Sequence, residues 1–311
     1  MNKLHVSAAP HINSGVSTHN IMLDVVIAML PAAIASVVLF GLKALWIIIA
    51  CVGSAVLSEF LFNLCVKKKQ TVGDFSAVVT GLLLALNLST NVPIWQCVIG
   101  SVFAIVVVKC FFGGLGKNVV NPAITARVFM LLTFTSVAGG ANPTIVELTS
   151  SATPLAHLNT GVEGMKQAPK LLDLFLGTHG GAIGETCAIA LLIGFVYLVV
   201  RKIIKWFVPA SFIATVILCY LVFTGNFEYA LAQVLAGGLI LGAVFMATDY
   251  VTTPTSPLGR VIFCVGCGLI TFAIRQFGSY PEGVSISILV MNILTPFIEK
   301  WTVRKPLGGI R

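Results

Sequence analysis

The chain has 311 residues, of which 57% are hydrophobic and only 10% are charged, and its mean hydropathy is +1.00. A soluble domain carries about a quarter charged residues, so this composition excludes a water-soluble fold and predicts an integral membrane protein. The formal net charge of +8 does not indicate a nucleic-acid partner. The basic residues lie at the ends of apolar runs and form no stripe interleaved with aromatic residues.

The apolar runs predict an all-α membrane protein with about ten transmembrane helices. A spanning helix needs roughly 20 mostly apolar residues, and helices satisfy every backbone group inside lipid. In chain order the runs predict helices over residues 21–42, 44–66, 75–90, 93–112, 121–138, 185–204, 208–223, 229–247, 260–275 and 284–300.

The distribution of Lys and Arg predicts the orientation of these helices. With the N-terminus inside, 13 basic residues fall on the inner side and only 4 on the outer side. Arg275 is one of those 4, assigned to an outer segment. Basic residues are enriched in cytoplasmic loops, so tails 1–20 and 301–311 are predicted to be cytoplasmic and loop 139–184 to face outward.

The long loop divides the chain into two halves, 21–138 and 185–300, with five predicted helices in each. An odd number of spans per half reverses the second half relative to the first, which predicts an inverted-topology repeat. Gly/Pro-rich stretches at 113–122 and 278–283 precede the last helix of each half. The simpler alternative is that these stretches are ordinary turns.

Within the loop, a short stretch from Ser150 to Pro154 is rich in small and hydroxyl-bearing residues, and Thr153 is the candidate for chemistry. A proline restricts the residue before it to an extended backbone, which would present the Thr153 hydroxyl to an incoming enzyme. From the residues alone, turn chemistry of a Ser/Thr-rich loop is the simpler interpretation.

A second candidate site opens the fifth predicted helix, where Asn118, Asn121 and Arg127 follow a glycine-rich stretch. Asparagine side chains and free backbone N–H groups at a helix start can bind polar or anionic groups. An arginine within a span is expected to face the protein interior or a water-filled pocket. The alternative is that Arg127 extends to the inner membrane surface.

Acidic residues in or beside apolar runs form the third set of candidates. Asp249 ends the eighth predicted helix among hydroxyl-bearing residues, whose oxygen donors suit Na⁺ or a proton path. A capping role at the inner surface is the alternative. Asp24 and Glu59 are functional candidates because they lie within spans, although both are near enough to helix ends to reach cytoplasmic water.

Three motifs resemble one family, the membrane proteins that include the D subunit of Rnf complexes and the B subunit of Na⁺-translocating NADH:quinone reductases. The family has an acidic residue, a short spacer and Ser-Gly-Ala-Thr; here Glu147 replaces the usual Asp and Ser151 the usual Gly. The stretch 116–127 matches the family pattern G-x-N-x-x-N-P-A-x-x-A-R. The third motif is M-A-T-D-P-V-T-x-P, in which Tyr250 replaces the first proline.

The resemblance covers about residues 20–305 and implies that the protein is a membrane flavoprotein with no catalytic side chains of its own. It implies FMN bound covalently through a phosphoester to Thr153, within a motif that also contains Ser150, Ser151, Ala152 and Pro154. From the resemblance, either a second flavin such as riboflavin or the isoalloxazine end of the first flavin is expected to bind near Asn118, Asn121 and Arg127.

The resemblance also implies partners and a location. The family complex couples electron transfer between ferredoxin and NAD⁺ to movement of Na⁺ or H⁺ across the bacterial inner membrane. The implied partners are lipid, the A and E membrane subunits, the flavin-containing G subunit and the cytoplasmic subunits that react with ferredoxin and NAD. Two alternatives remain open from the sequence: the quinone-reductase subunit, and a non-redox channel or transporter for a small solute.

Overall fold

The computed structural model describes residues 17–134, 154–158, 161, 164, 168–177, 179–278 and 282–303. In this part of the chain the regular structure is helical and contains no strand. The helices are α1 (Thr18–Phe40), α2 (Leu42–Cys65), α3 (Ser76–Leu86), α4 (Ile94–Cys110), α5 (Pro122–Thr133), α6 (Pro154–Leu158), α7 (Leu171–Leu176), α8 (Ala188–Val200), α9 (Phe207–Thr224), α10 (Phe227–Leu235), α11 (Leu239–Met246), α12 (Pro257–Phe277) and α13 (Val284–Thr302).

Five of the described helices, α1, α2, α9, α12 and α13, are long and apolar enough to cross a membrane. A sixth span is formed if α10 and α11 are counted together. The remaining predicted segments contain α3, α4, α5 and α8, which are apolar but only 10–17 residues long. These helices support a multi-pass membrane protein, while the count of ten spans stays a prediction.

One predicted span differs from the structure. The segment 229–247 is drawn from its hydropathy as a single helix, but α10 and α11 meet at an angle of 69°. The break contains Gly237, whose φ of 73° lies in the region that favours glycine. A Cβ atom there would lie 3.1 Å from Leu155 Cδ2 and 3.2 Å from Arg275 Nη2, so a larger residue would be strained by its backbone conformation and would also push these side chains aside.

Capping residues fix where the shorter helices begin. Asn121 precedes α5, and its Oδ1 accepts hydrogen bonds from the backbone N–H groups of Ala123 (3.0 Å) and Ile124 (3.4 Å). Pro122 occupies the first helical position, where its missing N–H costs nothing. Asn226 caps α10 in the same way. Polar residues that interrupt the apolar pattern thus define the starts of these helices.

The two halves contact each other through α1 and α8. Gly194 of α8 lies against the backbone carbonyl of Ala28 in α1, too close for any larger residue at position 194. Within the halves, α2 packs against α3 and α4, and α9 packs against α10 and α12.

Large apolar side chains cover the outside of the bundle, for example Ile34, Val38, Leu42, Trp46 and Val222, which are between 59% and 80% exposed. An apolar surface of this kind needs lipid to cover it.

Candidate functional site

A cavity lies where the beginnings of α1, α3 and α5 meet the ends of α4, α8 and α11. It has a volume of about 790 Å³ including its open mouth, of which about 90 Å³ admits the centre of a water molecule. Ligand pockets typically measure about 300–1,000 Å³, so a ring system would have to use the mouth as well as the interior. The polar lining residues include Ser76, Thr80, Lys109, Asn118, Asn121, Thr248 and Asp249.

Asn118 lines this cavity with an unsatisfied polar atom. Its side chain is buried, with 9% of the residue exposed. Within the described part of the chain, its Oδ1 has no hydrogen-bond partner. Because buried polar atoms are nearly always paired, this oxygen is available to a donor group of a bound molecule.

Asn121 and Asp249 meet at the same cavity although 128 residues separate them in sequence. Asn121 Nδ2 donates to Asp249 Oδ2 at 3.4 Å, and Thr252 Oγ1 donates to the same oxygen at 3.1 Å. Asp249 Oδ1 accepts from the Val251 N–H at 3.2 Å. Burial disfavours the ionised form and raises the pKa of Asp249 above its ordinary value. The hydrogen bonds from Val251 and Thr252 favour the carboxylate and offset part of this effect.

A buried ion pair adjoins the cavity. Lys109 Nζ lies 2.9 Å from both carboxylate oxygens of Glu59 and donates to Ser76 Oγ at 2.7 Å. Both charged side chains are only 2% exposed. The expectation that Glu59 reaches cytoplasmic water is therefore wrong: Lys109 of α4 and the Thr71 hydroxyl, at 2.7 Å, satisfy it inside the protein.

Asp24 likewise does not extend freely into water. It is 6% exposed and accepts hydrogen bonds from Tyr197 Oη at 2.8 Å and Arg201 Nη2 at 3.0 Å. Asp24 belongs to α1, whereas Tyr197 belongs to α8 and Arg201 directly follows it. These hydrogen bonds therefore join the two halves of the chain.

Ser150, Ser151, Ala152 and Thr153 lie outside the described residues, and their role stays a prediction. The residues immediately after them are described. Pro154 is buried at the start of α6, and Leu155 is 1% exposed beside Gly237. The carbonyl of Leu158 accepts a hydrogen bond from Tyr229 Oη at 2.7 Å. The C-terminal side of the motif is thus fixed against α10.

Arg127 is buried and does not extend to the membrane surface, so that alternative is wrong. It is also not among the residues that line the cavity. Its guanidinium donates to the carbonyl of Asn87, with Asn87 Oδ1 at 3.1 Å. The same group forms an ion pair with Glu282 and lies 3.6 Å from Glu185 Oε1. Neither glutamate stands out in the sequence as a candidate.

Arg275 does not lie in an outer segment, so the placement expected from its position near the end of an apolar run is wrong. It belongs to α12 and is only 2% exposed. Its Nη1 donates to the carbonyl of Gln233 at 2.5 Å, and its Nη2 donates to the carbonyl of Ala236 at 3.3 Å. Those carbonyls are left free by the break after α10, and the arginine replaces their missing helical partners.

Comparison with known proteins identifies the family. The family model described as "NQR2, RnfD, RnfE family" matches residues 5–308. The chain belongs to the NQR2, RnfD, RnfE family. The expectation drawn from the three motifs is therefore confirmed.

Curated relatives of this NQR2, RnfD, RnfE family member cover nearly the whole chain. It is 45% identical to the D subunit of the Na⁺-translocating ferredoxin:NAD⁺ oxidoreductase complex of Acetobacterium woodii, over 99% of this chain and 97% of the relative. It is 38% identical to the D subunit of the proton-translocating ferredoxin:NAD⁺ oxidoreductase complex of Clostridium ljungdahlii, over 98% and 96%. For the D subunit of the ion-translocating oxidoreductase complex of Stutzerimonas stutzeri, the identity is 35% over 91% and 90%.

Proposed function

We propose that this chain is the flavin-carrying membrane subunit of an Rnf-type complex, which couples electron transfer between ferredoxin and NAD⁺ to ion translocation. The observation that carries the proposal is its 45% identity, over nearly the full length of both chains, to a protein named as the D subunit of such a complex. In this role the chain works with the other subunits of the complex in a bacterial inner membrane, and the bound flavin supplies the electron-transfer chemistry.

The Thr153 hydroxyl is the proposed attachment point for FMN, through an ester with the phosphate. Two features support this role: the sequence Ser-Ser-Ala-Thr-Pro at 150–154 and the fixed segment after it. Leu155 and Leu158 anchor α6 on α10, which restricts how far a group attached two residues earlier can move. Anchoring of this kind favours electron transfer because it limits the distances that the redox group samples.

Asn118 and Asn121 are the proposed contacts of a second, non-covalent flavin, riboflavin, at the cavity. The free Oδ1 of Asn118 supports this assignment, because a flavin ring offers an N–H donor to such an oxygen. Asn121 contributes less directly, since its Oδ1 is already used to cap α5. Arg127 is left out of this proposed site because its guanidinium binds Glu282 and Asn87.

Ten spans in two inverted repeats remain our proposal for the architecture. The cavity supports it: a ten-span topology would bring the beginnings of the first, third and fifth spans to the same face as the ends of the fourth, sixth and eighth. Those are the helix ends that line the cavity. The packing of α2 on α3 and α4, matched by α9 on α10 and α12, supports the repeat. With both termini cytoplasmic, the Thr153 loop would lie outside.

A denaturing gel viewed under ultraviolet light tests the proposed function. We expect a fluorescent band near 32.9 kDa when the chain is produced with a flavin transferase, and a dark band without the transferase. Only covalent flavin survives denaturation, so fluorescence separates this function from that of a solute transporter. A dark band in both samples would contradict the proposal.

Asp249→Asn tests whether this carboxylate belongs to the ion path. Relatives are named as Na⁺-translocating and as proton-translocating, so family membership leaves the ion open. We expect electron transfer in the complex to persist while ion uptake into vesicles falls about tenfold or more, since the charged oxygen is lost (one factor of ten corresponds to about 1.4 kcal/mol). The uptake measurement compares Na⁺ with H⁺, because relatives are named for each of these ions.

The matched control for this experiment is Glu228→Gln, which removes an exposed carboxylate in the first turn of α10. The control should leave ion uptake unchanged. If Asp249→Asn transports ions as fast as the control, Asp249 has no part in the path.

A further inference from the structure

Two glutamates meet beneath the break between α10 and α11. Glu185 precedes α8 and Glu282 precedes α13, and both carboxyl groups approach Nη2 of Arg127. Glu185 Oε1 would lie 2.9 Å from a Cβ atom on Gly238, so the carboxyl group fills the space that this glycine leaves. Glu185 is 5% exposed. Two carboxylates that share one guanidinium repel each other, and a proton on one of them removes that repulsion.

The cations around the pair decide which carboxyl holds that proton. Among the described residues, the charged groups that act on the pair are Arg127 and Arg275. Arg127 contacts Glu282 directly and lies 3.6 Å from Glu185. Arg275 directs its Nη atoms to backbone carbonyls of Gln233 and Ala236. The two carboxyl groups therefore share a single contacting guanidinium.

The two carboxyl groups have unequal surroundings, which favour one ionised and one neutral group. Glu185 Oε1 is buried and accepts no hydrogen bond within the described part of the chain. Burial, followed by the charge of Glu282, raises the pKa of Glu185 well above its ordinary value. For Glu282, burial is the largest single effect and acts in the same direction, but the charges of Arg127 and Arg275 together with hydrogen bonding outweigh it and lower the pKa. An ionised carboxylate is thus favoured at Glu282 and a neutral acid at Glu185.

We infer that Glu185 and Glu282 form a proton-binding site, in which Glu185 carries one proton, Glu282 is ionised, and Arg127 selects between them. A small shift of the guanidinium from Glu282 towards Glu185 would favour release of the proton from Glu185. Two nearby arginines repel Na⁺ from the site, whereas a proton on Glu185 removes the repulsion between the two carboxylates. The ligand of this site is therefore a proton.

The position of the pair connects it to the rest of the molecule. Gly237 lies beside Leu155 and Arg275. The next residue in the chain, Gly238, faces Glu185. If FMN is attached at Thr153, which rests on the proposed function, each electron gained or lost there changes the electrostatic potential at the pair. Electron loss would favour proton release from Glu185 to water or to a neighbouring base, and electron gain would favour proton retention.

Infrared difference spectroscopy of the purified complex tests this site. Subtracting the Glu185→Gln spectrum from the wild-type spectrum should reveal the C=O stretching band of a protonated carboxylic acid, shifted in D₂O. The matched control, Glu228→Gln at an exposed position, should reveal only carboxylate bands. Glu282→Gln should also lose the acid band, because Arg127 is then left with Glu185 alone and draws it into the ionised form.

Two results would overturn the inference. One is a wild-type minus Glu185→Gln spectrum that contains only carboxylate bands. The other is failure of Glu185→Gln to assemble, since glutamine reproduces the shape and neutrality of the protonated acid. Absence of covalent flavin from a complex that retains the acid band would contradict the proposed function and leave the proton-binding site intact.

Discussion

Replacing Thr153 with alanine is expected to abolish covalent flavin in this chain. The alanine lacks the only oxygen through which the proposed phosphoester can form, so in-gel fluorescence should fall to background. Because this substitution removes a small side chain and leaves Pro154 in place, the chain should still assemble at normal abundance. Electron transfer through the complex should be lost together with the fluorescence.

The matched control is Ser151→Ala, which removes a hydroxyl two residues earlier in the same stretch. It should retain the fluorescent band, because glycine is usual at this position in the family motif and no hydroxyl is needed there. Fluorescence that persists in Thr153→Ala and disappears in Ser151→Ala would move the attachment point and contradict our assignment.

Replacing Arg127 with methionine is expected to cause the largest loss of stability. Methionine preserves much of the apolar stem but leaves the partly exposed Glu282, and the buried Glu185 beside it, without their contacting cation. Removing one partner of a buried ion pair typically costs about 3–5 kcal/mol. The carbonyl and Oδ1 of Asn87 would lose their donor as well. The midpoint of thermal denaturation of the purified protein in detergent should therefore fall markedly.

Lys43→Met is the matched control for this substitution, because Lys43 is exposed near the start of α2. Its removal should leave the denaturation midpoint nearly unchanged. If Arg127→Met lowers the midpoint no further than Lys43→Met does, Arg127 does not stabilise the contact between α5 and the segments before α8 and α13.

The sequence predicts the helical segments well because hydropathy reports directly on burial in lipid. Hydropathy predicts less well where an apolar segment bends or breaks into two helices. The run 229–247 is apolar throughout, so its hydropathy does not reveal the bend at Gly237. That bend depends on a backbone conformation with φ of 73° and on contacts with Leu155 and Arg275, which come from distant parts of the chain.

For the candidate sites too, the sequence indicates individual residues but does not show which of them are in contact. The motifs indicate Asn121 and Asp249 separately, but only the fold brings them within hydrogen-bonding distance. Glu185 and Glu282 each stand beside an apolar run, where an acidic residue is usually assigned to a loop or a cap. No local pattern indicates that they face each other. Their pairing results from the packing of the segments before α8 and α13 around Arg127.

Peptide mass spectrometry of the natively assembled complex tests most directly whether Thr153 carries FMN. Trypsin cleavage after Arg127 and Lys166 releases residues 128–166, which contain the whole attachment motif. We predict that this peptide gains the mass of FMN less one water and that fragmentation assigns the added mass to Thr153. An unmodified peptide from the assembled complex would contradict the account.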